Sequence, residues 1–126
     1  MNTERRGRLD LSYSLSAART ARRWARQRLE HLLDDDHVEV ALLVLSELVT
    51  NALTHGSDPV QVELAVDDEL VLVRVTDHGG GRVSLRHPAH GDPGGRGLII
   101  VEELAERWDV DYAGTSTSVW VQLLRT

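Results

Sequence analysis

The chain has 126 residues, 41% hydrophobic and 27% charged, a length that supports one folded domain with one sizeable core. Its net charge of −6 is unevenly spread: residues 1–28 carry eight Arg against two acids, the remainder six Arg against eighteen acids. The acidic body argues against general nucleic-acid binding. The lack of Cys excludes disulfide and thiolate chemistry, and the lack of Lys excludes Schiff bases and a P-loop cation.

In chain order, residues 1–8 ("MNTERRGR") read as a flexible arm and "LDLSYS" as a short alternating strand. "SAARTARRWARQRLEHLL" places Ala18, Ala21, Ala25, Leu29 and Leu32 on one helical stripe, with Ser16 as N-cap. Arg19, Arg22, Arg23 and Arg26 fall largely off that stripe, as a solvated face or as a docking face for an acidic partner. Asp34–Asp36 end this helix and cap a second, from about His37 to His55, stopped by Gly56. "PVQVELAV" and "ELVLVRVTD" alternate with period two and form a hairpin around Asp67-Asp68. A stretch with seven glycines between residues 79 and 97 precedes the helical "LIIVEELAERW". "DVDYAG" and "SVWVQLLR" close the chain as a second hairpin.

The order β-α-α-β-β-loop-α-β-β predicts an α+β, two-layer sandwich. Its sheet would have about five strands, mixed but mostly antiparallel, covered on one face by three helices. Residues 9–126 are expected to form a single domain with a lid loop at about 80–96. No apolar run approaches a membrane span of about 20 residues and no leader opens the chain, so a cytoplasmic location is expected.

Three segments stand out chemically. Glu47, Asn51 and His55 recur every four residues on an otherwise apolar helix and form a polar ridge, which ordinary amphipathicity also produces. In "VTDHGGGR", Asp77 ends a strongly apolar strand and runs into three glycines, which let backbone approach a ligand closely. A carboxylate at the rim of an apolar floor suits an exocyclic amine such as that of adenine. In "GDPGGRGLIIVEELA", Gly94, Gly95 and Gly97 lead into a helix whose amide groups and dipole favour phosphate. Neither a Walker A loop nor G-x-G-x-x-G fits, since Lys is absent and position 100 is Ile. His78, His87, His90 and Asp92 lack the scaffold of a zinc site. Trp24, Trp108 and Trp120 read as core or interface residues.

Glu-x-x-x-Asn on a helix, Asp-x-Gly-x-Gly after a strand and Gly-x-Gly-Leu opening a helix, in that order, resemble the N, G1 and G2 boxes of the GHKL (Bergerat-fold) ATPases. The likeness spans about residues 9 to 124. "ALLVLSELVTNALTHG" and "GGRGLIIVEELAERWDV" are most similar to the bacterial anti-sigma-factor serine/threonine kinases and their small ATP-binding relatives. The resemblance implies ATP and Mg²⁺ as cofactors, with Asn51 holding Mg²⁺ and Glu47 as general base. It assigns Asp77, Gly79 and Gly81 to adenine, and Gly95, Arg96, Gly97 and Leu98 to the phosphates, with Arg86 or Arg96 reaching the γ-phosphate. Ser118 would support Asp77 through water. The implied activity is phosphorylation of an antagonist protein by a kinase that also binds a sigma factor; a homodimer is compatible with it. Competing readings are a non-catalytic ATP-binding module signalling by lid closure and a detached histidine-kinase ATP-binding domain.

Overall fold

A computed structural model describes residues 5–55, 59–78 and 93–126. The elements are β1 (Arg6–Leu11), α1 (Ala17–Leu29), α2 (Asp35–His55), β2 (Val60–Val66), β3 (Leu70–Asp77), α3 (Pro93–Leu104), β4 (Arg107–Ala113) and β5 (Ser116–Leu124). The strands make one sheet in the order β1-β2-β3-β5-β4. Every strand pair is antiparallel, so the expected mixed sheet is antiparallel throughout the described residues.

Burial alternates along the strands with the two-residue period of the pleat. Val60, Val62, Leu64 and Val66 of β2 are buried, as are Val71, Val73 and Val75 of β3 and Val119, Val121 and Leu123 of β5. The register sets Leu64 beside Val73, and Val73 beside Val121, so these residues share one face. α2 packs against β2, β3 and β5 there, α1 packs against α2 and β1, and α3 packs against α2. Leu45, Val44 and Val49 of α2 are wholly buried and join the strand valines in one core. By length and mean hydropathy (1.3) Asp35–Thr54 of α2 could cross a membrane, but half of that window is buried within the fold. Its apolarity is that of a core helix.

Several element ends differ from the sequence expectation, each for a local reason. β1 begins at Arg6, inside the segment read as a flexible arm, where Arg6 pairs with Ala65 and Arg8 with Glu63. Ser16 sits at the start of α1 but makes no side-chain capping bond. The residues of α1 that are fully buried are Ala17, Ala21, Ala25 and Leu29, while Ala18 and Leu32 are only partly covered. α2 starts at Asp35 because Asp34 caps it: the His37 amide donates to Asp34 Oδ1 at 2.9 Å. That amide bond, followed by the His37 side chain, holds the Asp34 carboxyl below its ordinary range.

The α3 helix starts at Pro93, a favoured first helical position, and ends at Leu104 rather than continuing to Trp108. There the sheet intervenes: the Glu106 amide donates to the Gln122 carbonyl at 2.8 Å, which starts β4 beside β5. The β2–β3 hairpin closes through the Asp67 amide donating to the Leu70 carbonyl at 3.0 Å. Asp67 Oδ1 also accepts from the amides of Glu69 and Leu70. Neither Asp68 nor Glu69 takes a positive φ, which excludes the primed turns and type II. In the β4–β5 hairpin Gly114 does, at 61°, a conformation glycine adopts without strain.

Candidate functional site

Asp77 closes β3 on the helix-facing side of the sheet and is only 4% exposed. Its cross-strand partner is Thr117, which is 2% exposed. One step further along the β2–β3 register, Val60 stands opposite Asp77, and Leu11 stands opposite Val60. The last row of this face therefore runs Leu11, Val60, Asp77, Thr117, Tyr112. A carboxylate and a hydroxyl interrupt an otherwise apolar row near its middle. Withdrawing a carboxylate from water is costly unless it is hydrogen-bonded, so apolar packing alone does not account for Asp77 in this row.

Ser118, expected beside Asp77, faces the opposite side of the sheet. It pairs in register with Thr76, and the two hydroxyl oxygens are 2.7 Å apart. Thr117 occupies the place expected of Ser118. The signal was present in the chain: Val119, Val121 and Leu123 define the core parity of β5, and Thr117 shares it.

Glu47 and Asn51 lie one turn apart on α2, both half-buried. His55 ends that helix, five residues before Val60, and Val60 belongs to the row that contains Asp77. A span of five residues cannot exceed roughly 18 Å, so the C-terminal end of α2 stays at the same end of the sheet as Asp77. α2 also packs against α3, whose opening turns hold Gly95, Arg96, Gly97 and Leu98 in helical conformation. These glycines belong to the helix itself, not to the loop before it. Nearby, Thr54 donates to the Thr50 carbonyl at 2.7 Å, and Ser116 Oγ lies 3.1 Å from His78 Nδ1. Gly79, Gly81, Arg86, His87, His90 and Asp92 lie outside the described residues.

The matched family is described as a histidine kinase-like ATPase domain, and the match covers residues 11–123. The chain belongs to this family. Its position within the GHKL ATPase superfamily agrees with the antiparallel sheet and its helical layer. Among solved structures, the ATPase domain is similar to the RsbU and RsbW domains of Rv1364c from Mycobacterium tuberculosis. That likeness has a TM-score of 0.69 and 24% identity over 95% of this chain and 33% of the other. It is also similar to the histidine kinase domain from the Erythrobacter litoralis EL346 blue-light activated histidine kinase. There the TM-score is 0.55, with 31% identity over 70% of this chain and 44% of the other. The Acinetobacter baumannii histidine kinase AdeS matches at 0.55 and 16% identity, over 94% of this chain and 68% of that one. Among curated proteins, the signal transduction histidine-protein kinase AfsQ2 of Streptomyces coelicolor is 32% identical over 80 residues. The ATPase domain spans 14% of the length of that protein.

The donor set fits a nucleotide with its metal. Among the described residues no group of three or more His, Cys, Asp or Glu forms a cage for an ion. Mg²⁺ needs no such cage, because it keeps several waters and takes phosphate oxygens as ligands, leaving one protein oxygen to suffice. Asn51, half-buried on α2 one turn from Glu47, carries a side-chain oxygen of that kind.

Proposed function

We propose that this ATPase domain is an ATP- and Mg²⁺-dependent protein serine/threonine kinase acting as a cytoplasmic anti-sigma factor. It would bind a sigma factor and phosphorylate a Ser or Thr of an antagonist protein. The observation that carries this reading is Asp77, a buried carboxylate set into the apolar floor beside Thr117. At that position it accepts a hydrogen bond from the adenine amine, and Thr117 rather than Ser118 stands beside it. Gly79 and Gly81 would let the base lie against backbone, and the free amides of the first turn of α3, at Gly95 and Arg96, would face the phosphates, whereas the amides of Gly97 and Leu98 fall within the helix's own hydrogen-bond ladder.

Asn51 would hold Mg²⁺, which when bound neutralises phosphate charge. Glu47 would orient the acceptor hydroxyl and take its proton as the oxygen bonds the γ-phosphorus and ADP leaves. The serine/threonine assignment rests on the resemblance of "ALLVLSELVTNALTHG" and "GGRGLIIVEELAERWDV" to the anti-sigma-factor serine/threonine kinases.

A second reading, the ATP-binding domain of a histidine kinase, is favoured by the 31% and 32% identities to two such kinases. Incubation with γ-labelled ATP and the proteins encoded beside it separates the two. Acid-stable label on a partner, reduced about 10²–10⁴-fold in Glu47→Ala while nucleotide still binds, supports the serine/threonine kinase. Acid-labile label on a histidine supports the second reading. Nucleotide binding with no transfer to any partner supports the non-catalytic module.

A further inference from the structure

Arg26 of α1 donates to Glu39 of α2 at 2.9 Å, close to the short connection between the helices. The pair α1–α2 is therefore an antiparallel hairpin. On its outer side an open groove of about 540 Å³ runs between the helices. Arg19, Arg22, Arg23 and Arg26 supply its α1 wall, and Leu42, Leu43, Ser46 and Glu47 belong to its α2 wall. The Arg26–Glu39 pair stands at the end near the connection. Arg19 and Glu47, farthest from that connection along each helix, stand at the other.

Three properties mark this groove as a docking surface. Arg26 is paired, but Arg19, Arg22 and Arg23 form no ion pair among the described residues. A chain with net charge −6 thus concentrates unpaired positive charge in one place. Leu43, 43% exposed, adds apolar surface to the α2 wall, while Ser46 Oγ is buried without a hydrogen-bond partner among the described residues. Glu47, the proposed proton acceptor, opens into the same groove instead of lying apart from it.

We propose that the α1–α2 groove binds an acidic, partly apolar segment of the phospho-acceptor protein and delivers its hydroxyl to Glu47. The assignment of Glu47 rests on the kinase reading; the docking chemistry rests on the groove alone. Acidic side chains of the segment pair with Arg19, Arg22 and Arg23, and an apolar side chain covers Leu43. The field of these arginines orients an acidic partner that the rest of the surface repels.

The test is fluorescence anisotropy with a short labelled peptide of Glu and Leu residues around a central Ser. A peptide in which Lys replaces every Glu and a single-stranded oligonucleotide serve as controls. The acidic peptide is expected to bind without nucleotide, more weakly as salt rises, and at least about tenfold more weakly to Arg22→Glu/Arg23→Glu. Arg22→Gln/Arg23→Gln should give a smaller loss in the same direction. Nucleotide affinity should be unchanged in both variants, which shows that they are folded. Equal binding of the Lys peptide, tighter binding of the oligonucleotide, or no loss in either variant overturns the proposal. Peptide binding with these properties but without phosphoryl transfer keeps the docking surface and removes the kinase reading.

Discussion

The two faces of the sheet obey the same period and carry different kinds of polar residue. On the face turned away from the helices Arg8, Glu63, Arg74, Trp120 and Asp109 succeed one another in a single register row. Polar groups are ordinary there, and the Thr76–Ser118 hydroxyl pair needs no explanation beyond cross-strand contact. On the helix-facing side the rows of β2, β3 and β5 are valine and leucine until the row of Asp77 and Thr117. A hydroxyl is informative only against the background of its own face, so adjacent residues Thr117 and Ser118 carry different weight.

The contrast can be broken first in the core. Leu64→Ala on the helix-facing side should cost about 3 kcal/mol, whereas Leu72→Ala on the outer side should cost about 1 kcal/mol or less, by denaturant unfolding. Equal costs would mean that the outer face is as enclosed as the inner one.

At the polar row, Asp77→Asn should weaken ATP binding by roughly 10- to 100-fold by calorimetry, the loss expected for a charge-assisted hydrogen bond. Unchanged affinity would remove Asp77 from the adenine site. Thr117→Val should lower ATP affinity about fivefold, while Ser118→Ala should leave it within twofold. The reverse order would return Ser118 to the site and refute the assignment by face.

The smallest effect lies at the β2–β3 turn. Amide hydrogen bonds from Leu70, then Glu69, hold the Asp67 carboxyl below its ordinary value of 3.8. Since the folded value is the lower one, this stabilisation is complete above about pH 4 and fades as pH falls through the folded value. Asp67→Asn should therefore lower Tm slightly at neutral pH, with the difference from the unsubstituted chain shrinking as pH falls below about 4.

Strand alternation made β2 and β3 legible to within a residue, because burial on one face imposes a strict period on Val60–Val66 and Leu70–Asp77. The ridge of Glu47 and Asn51 was equally plain on α2. What escaped depends on pairing between distant segments. Arg6 and Arg8 conceal a strand because β1 is an edge strand whose outer side is wet. The end of α3 is decided by Gln122, sixteen positions after Glu106, which no local propensity contains. Motif position points to Ser118, whereas register assigns Ser118 and Thr117 to opposite faces. The groove beside Glu47 needed the α1–α2 hairpin before the arginines and Ser46 could be seen as one lining.

The strand order has a consequence for how the protein is made. β5 follows β4 in the chain yet lies between β3 and β4 in the sheet, so until Ser116–Leu124 emerges from the ribosome β3 lacks its second neighbour and β4 its partner. Vectorial synthesis can pair β1, β2 and β3 early, but the β3–β5 pairing spans the intervening α3 and β4, a long-range contact that is entropically slow. Nascent chains stalled before residue 116 should be protease-sensitive, and become resistant only when the final strand inserts.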